Sequence, residues 1–135
     1  MARVWDRTLS GQPNISRPLT GGTCLAKPGE SVSGDAWLSE SSGGRTLCAV
    51  VNGLGHGPFA AQASALAIQS LHQHRGLPLT EPTHCVCSAL RPTRGAALGM
   101  AEMLYDQSLI KFFGIGNFMA AVHQNGTCRT IVSQR

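Results

Sequence analysis

The spacing of apolar and polar positions changes several times along this chain, and each change marks an element. Asp35-Ala36-Trp37-Leu38 opens a strand, Ser41-Ser42-Gly43-Gly44 is a turn signal, and Arg45 to Val51 is the return strand, carrying the apolar run Leu47-Cys48-Ala49-Val50-Val51. Antiparallel pairing of these strands brings Asp35, at the start of one, beside Asn52, at the end of the other. Gly57-Pro58 then marks a helix start, because proline is tolerated in a first turn. Phe59 to about His74 contains no breaker, and Ala63, Leu66, Ala67, Ser70 and Leu71 recur at helical spacing as a stripe of mostly small residues. Gly76, Pro78 and Pro82 form a linker, and Thr83 to Leu90 reads as a second, short helix ended by Pro92. From Arg94 the pattern returns to strands: Ala96–Leu104, Leu109–Ile115, Phe118–His123 and Thr127–Val132. Asp106-Gln107 and the strong hairpin dipeptide Asn125-Gly126 serve as turns. This tail predicts a meander of three or four antiparallel strands. Residues 1–33 are rich in Gly, Pro, Ser and Thr and predict irregular chain, with short strands around Thr8 and Leu19–Ala26. No internal repeat or low-complexity stretch occurs.

At 135 residues the chain has the length of about one domain. A hydrophobic content of 42% against 13% charged residues argues for a packed globule. The 16 glycines favour mixed or β-rich structure over a helical bundle. The net charge of +4 comes from scattered basic residues with no run of three, so no nucleic-acid partner is expected. No apolar segment is long enough to span a bilayer, and the N-terminal residues lack the apolar core of a signal peptide, so a cytoplasmic location is expected. Five cysteines, an odd number without a secretion signal, point to reduced thiols. Cys48 lies in the apolar strand. Cys85 and Cys87, next to His84, lack zinc-site spacing and read as structural.

The chemistry-bearing stretch is Val51-Asn52-Gly53-Leu54-Gly55-His56-Gly57-Pro58. A strand that delivers a polar residue into a glycine loop ahead of a helix exposes backbone amides and lets a ligand approach closely. With Gly34-Asp35 across the hairpin it forms two halves of one metal or phosphate site. Of the seven carboxylates in the chain, Asp35 alone stands in such a motif. Read singly, each residue has a plainer role. Asp35 can satisfy local amides, Asn52-Gly53 can be an ordinary turn, and His56 can be a phosphate contact, a general acid or a loop histidine bonded to its neighbours. Thr93-Arg94-Gly95 offers a guanidinium to an anion, a weak signal by itself. Gly114-Ile115-Gly116-Asn117 lies between two strands with no helix after it and reads as a turn. No nucleophile motif is present.

Taken in order, Gly34-Asp35-Ala36-Trp37, Val51 to Pro58 with Ala60-Ala61, Thr93-Arg94-Gly95-Ala96-Ala97 and Gly114 to Asn117 resemble the SpoIIE-like and RsbX-like serine phosphatases. These are a branch of the metal-dependent type 2C protein phosphatases, and the resemblance covers roughly residues 18–135. It implies an α+β fold, an α-β-β-α sandwich of two antiparallel sheets flanked by helices. It also implies two Mn²⁺ or Mg²⁺ ions that activate water against phosphoserine or phosphothreonine, and a phosphorylated regulatory protein of sigma-factor partner-switching pathways as substrate. By this resemblance Asp35 matches the first metal-binding aspartate, Asn52 the aspartate that bridges both metals, and Gly53 the residue offering its backbone carbonyl. His56 falls in the loop that shapes the site.

Two departures alter the expectation. The bridging position carries an amide, which can ligate a metal but supplies no charge to offset two dications. The chain also stops before the stretch that would supply the last strands and further acidic ligands; Asp6 or Glu30 could approach in their place. Weak or absent metal binding and severely reduced activity follow. A non-catalytic, protein-binding version of the same fold is the alternative, and an exposed sheet edge is expected to favour a homodimer by strand addition.

Overall fold

A computed structural model of the chain describes residues 18–132. Strands β1 (Asp35–Ser42) and β2 (Arg45–Gly53) form the expected hairpin, turned at Gly43 and Gly44. Two helices follow, α1 (Gly57–Gln73) and α2 (Thr80–Leu90). Strands β3 (Ala96–Leu104) and β4 (Leu109–Ile115) complete a four-stranded antiparallel sheet of order β1-β2-β3-β4. A second sheet is the separate hairpin β5 (Met119–Gln124) and β6 (Thr127–Val132). The fold is therefore mixed α+β, with two antiparallel sheets and two helices among the described residues.

Alternation along β2 assigns its faces. Leu47, Ala49 and Val51 point to the helices, joined across the register by Leu98 and Met100 of β3. Against them α1 presents Ala60, Ala63, Ala67 and Leu71, all wholly buried, and α2 contributes Val86. The small residues on α1 allow the helix axis to lie close to the sheet, which puts the start of α1 directly over the end of β2. The other face carries Asp35, Trp37 and Ser39 from β1 and Thr46, Cys48, Val50 and Asn52 from β2. Part of it is covered by residues 20–22: the Ser39 hydroxyl bonds Thr20 at 2.8 Å, and Gly22 packs on the Trp37 ring. Phe118 lies flat over Gly114, where a Cβ would stand 1.5 Å from the ring.

Three expectations need correction. No strand forms over Leu19–Ala26; Gly21 and Gly22 have low strand propensity, and the segment lies as irregular chain over Trp37. Thr8 is outside the described residues. The tail is not one meander: Gly116, at φ +82°, turns the chain out of the first sheet, so β5 pairs with β6 and not with β4. Helix α2 begins at Thr80 instead of Thr83, with Pro82 accommodated in its first turn. Cys48 is buried as expected, but Cys85 is half-buried and Cys87 exposed. Two residues apart on a helix, those thiols point to different faces. No described helix is long and apolar enough to cross a membrane.

Candidate functional site

The site is built where three chain segments end together. Asp35 and Asn52 are directly paired in the β1–β2 register, and Asn52 is paired in turn with Ala97 on β3. The Gly53 amide donates to the Gly34 carbonyl at 2.9 Å, and the Leu54 amide donates to the Gly95 carbonyl at 2.9 Å. These two bonds lock the glycine loop to both neighbouring strands. Asp35 is half-buried, with its amide donating to the Ser33 hydroxyl at 3.1 Å, while Asn52 is exposed beside it. Sequence reasoning thus brought Asp35, Asn52 and Gly53 together, and the structure places them so.

Gly53 is fixed by packing. A Cβ there would stand 2.1 Å from the carbonyl oxygen of Ala60, so the end of β2 touches the backbone of α1. That contact aims the loop. His56, the residue before α1, has extended backbone and makes no side-chain cap. Its ring turns away to Glu30, whose carboxylate bonds Nδ1 of His56 and rests against Gly57, at φ +67°. A carboxylate at that position also complements the positive end of α1. Glu30 does approach from the N-terminal segment, but its partner is the histidine. Asp6 is outside the described residues.

Two further features emerge only from the structure. Burial first, and then the charge of Asp35, push the Cys24 thiol above the ordinary cysteine range. Arg94 reaches the glycine loop from the other side: its Nη1 would stand 3.2 Å from a Cβ on Gly55, and its guanidinium lies 5.0 Å from the centre of the Phe59 ring. The Thr93-Arg94-Gly95 signal was too short to predict that contact.

The donor set decides what the site can hold. Asp35 supplies one carboxylate, Asn52 a neutral amide oxygen and Gly53 a carbonyl. Among the described residues no group of three or more His, Cys, Asp or Glu side chains is arranged to hold a metal ion. Two closely spaced dications need several negative ligands to offset their repulsion. One carboxylate does not fit such a pair.

No protein-family model matches the chain. Over 100 residues it is 29% identical to the phosphoserine phosphatase RsbX of Bacillus subtilis (strain 168), a match covering 73% of this chain and 50% of RsbX. The chain thus spans about half the length of this curated relative. A chain of the bacterial stressosome, a modular system adapted to control secondary messenger signaling, superposes with a TM-score of 0.76 at 30% identity, over 81% of this chain and 57% of that one. RsbX in complex with magnesium superposes at 0.74 with 21% identity, over 83% and 56% of the two chains. The PP2C phosphatase domain of Bacillus subtilis SpoIIE superposes at 0.73 with 21% identity, over 84% and 35%. In fold the chain is similar to the PP2C-type phosphatase domains, and in sequence it is similar to RsbX.

Proposed function

We propose that this chain is a PP2C-type domain of partner-switching signalling that recognises a phosphorylated serine or threonine on a regulatory protein and turns it over slowly or not at all. The relatives support the substrate class: RsbX is a phosphoserine phosphatase, and the neighbours include a stressosome chain. One observation carries the reduced activity, namely the amide of Asn52 facing Asp35 in register. In an active version of this site, Mn²⁺ or Mg²⁺ would generate the attacking water. Asp35, Asn52 and Gly53 are the residues of this chain assigned to face such ions, and together they carry a single negative charge. His56 is assigned to loop positioning through Glu30, because its Nδ1 is engaged there.

The test is hydrolysis of a phosphoserine peptide in millimolar Mn²⁺ by the parent chain and by Asn52→Asp. The parent is expected to be near background, and the variant to gain turnover of about tenfold or more, since restored charge at a bridging ligand is worth well over 1 kcal/mol. Robust parent turnover, with micromolar Mn²⁺ affinity by calorimetry, would sink the reading. No change in the variant would move the defect elsewhere.

A further inference from the structure

The Arg94 guanidinium reaches the glycine loop, and the ligand assignment above does not use it. We infer that Arg94, flanked by the exposed side chains of Leu54 and Phe59, is the recognition point for the phosphoryl group of a phosphoserine or phosphothreonine segment of a partner protein. This rests on the proposed function and names the residue by which the substrate class is recognised.

Four observations lead there. First, the backbone under Arg94 is held firmly. The Thr93 hydroxyl and amide both donate to the Leu90 carbonyl, at 2.7 and 2.9 Å, and the Gly95 amide donates to the Thr93 hydroxyl at 2.9 Å. The Gly95 carbonyl accepts from Leu54, as described above. The arginine is therefore anchored to the loop that carries Asn52. Second, the guanidinium lies over the Phe59 ring and makes no hydrogen bond or ion pair among the described residues. Its N–H groups are therefore not engaged there, and their fork matches the spacing of phosphate oxygens. Third, the nearby acids are accounted for: Glu30 is bonded to His56, and Asp35 lies across Asn52 from β3. Fourth, Leu54, which packs by Gly95, and Phe59, which lies under the guanidinium, are 52% and 62% exposed, so two large apolar side chains lie open close to one cation. A free phosphate gains nothing from such flanks, whereas a protein segment with an apolar residue beside its phosphoserine fills them. A segment of that chemistry is the occupant the charge and shape favour.

The experiment measures binding to the full chain in EDTA, by calorimetry or NMR titration. The ligands are a phosphoserine peptide with an apolar residue next to the phosphoserine, its unphosphorylated twin, the same phosphopeptide with serine in the apolar place, and inorganic phosphate. The parent should prefer the phosphopeptide to its twin by about tenfold or more, because a charge-assisted bidentate contact is worth roughly 1.5–3 kcal/mol. Arg94→Gln should abolish that preference, and Arg94→Lys should keep only part of it. Thermal melts of both variants, expected to match the parent, exclude a folding defect. Equal affinity of Arg94→Gln for both peptides and of the parent for both peptides would overturn the inference, as would parent-level preference in Arg94→Gln. Binding of inorganic phosphate as tight as that of the phosphopeptide would overturn the protein-segment part. The turnover test separates the two proposals. If Asn52→Asp gains activity while Arg94→Gln in that background leaves KM unchanged, the phosphatase reading stands and the Arg94 inference falls. If Arg94 governs peptide binding and Asn52→Asp stays silent, the Arg94 inference stands and the assignment of the reduced activity to Asn52 falls.

Discussion

Replacing Asn52 by aspartate has a consequence that can be read without any enzymatic assay. Residues directly paired across an antiparallel register have Cβ atoms about 4.5–5.5 Å apart, so Asn52→Asp sets a second carboxylate roughly 5 Å from that of Asp35. At that separation two like charges repel by about 0.8 kcal/mol in water and about 3 kcal/mol at a protein surface of effective dielectric near 20. Position 52 is exposed and Asp35 only half-buried, so the lower part of that range applies, near 1 kcal/mol. In EDTA the variant should therefore melt roughly 3–6 °C below the parent. A divalent cation reverses the sign, because two facing carboxylates bind it and the folded state alone offers them together. If millimolar Mn²⁺ exceeds the variant's dissociation constant a hundredfold, the stabilisation is about 2.7 kcal/mol. The two melting curves should then cross: variant below parent in EDTA, variant above parent in Mn²⁺, with the parent nearly indifferent. The assay is differential scanning fluorimetry or calorimetry on both proteins, with Asp35→Asn in each background to close the cycle. Equal melting of Asn52→Asp in EDTA and Mn²⁺, together with no loss in EDTA, would show that the two side chains do not share a site.

Other changes probe the frame that holds the loop. Gly53→Ala would place its Cβ 2.1 Å from the Ala60 carbonyl oxygen, which must retreat by more than about 1 Å to reach ordinary contact, lifting α1 off the sheet; a loss of about 3 kcal/mol is expected by denaturant titration, and less than 1 kcal/mol would disprove the close approach. Arg45 donates to buried Glu102 at 2.8 Å and to the Leu77 carbonyl at 3.0 Å, tying β2 to β3 and to the linker after α1. Arg45→Ala leaves Glu102 buried and unpaired, so a loss of about 3–5 kcal/mol is expected, and a loss below 1 kcal/mol would mean the pair contributes nothing. Burial, only partly opposed by the bond to Ser39, raises the Cys48 thiol above its ordinary value. A thiol held protonated by the fold contributes stability that is complete below about pH 8.5 and is lost as the pH rises past it. The alkaline slope of stability should therefore be shallower in Cys48→Ser than in the parent, and an unchanged slope contradicts the assignment.

The hairpin and its site pair were legible because they depend on local rules. A turn signal between two strand patterns fixes a register, and a register fixes which residues face one another. Helix α1 was legible from its stripe of small residues, and the β3 and β4 strands from their apolar runs. What escaped the sequence depends on contacts between distant segments. Nothing in the spacing of Glu30 announces that its carboxylate will lie on Gly57 and take the His56 ring. Nothing near Thr93 tells that Arg94 will cross to Phe59, because cation–ring contacts leave no periodic trace. The β5–β6 hairpin was legible from Asn125-Gly126, but its separation from the first sheet was not, because Gly116 redirects the chain by one dihedral angle, which a strand-by-strand pattern does not register.

These differences bear on why Asn52 alters the chemistry without undoing the architecture. The site is held by backbone: amide-to-carbonyl bonds at Gly53 and Leu54, the helix contact at Gly53, and the strand register itself. None of these needs a charge at position 52. An exposed amide there even removes the repulsion that a carboxylate would place beside Asp35. The charge that a metal centre requires and the charge that an unliganded fold tolerates therefore pull in opposite directions at one residue. A chain with asparagine is more at ease without metal, keeps the loop in the same place, and leaves the balance of charge at the glycine loop to Arg94. On the function proposed above, such a site would hold a phosphoryl group and hydrolyse it poorly.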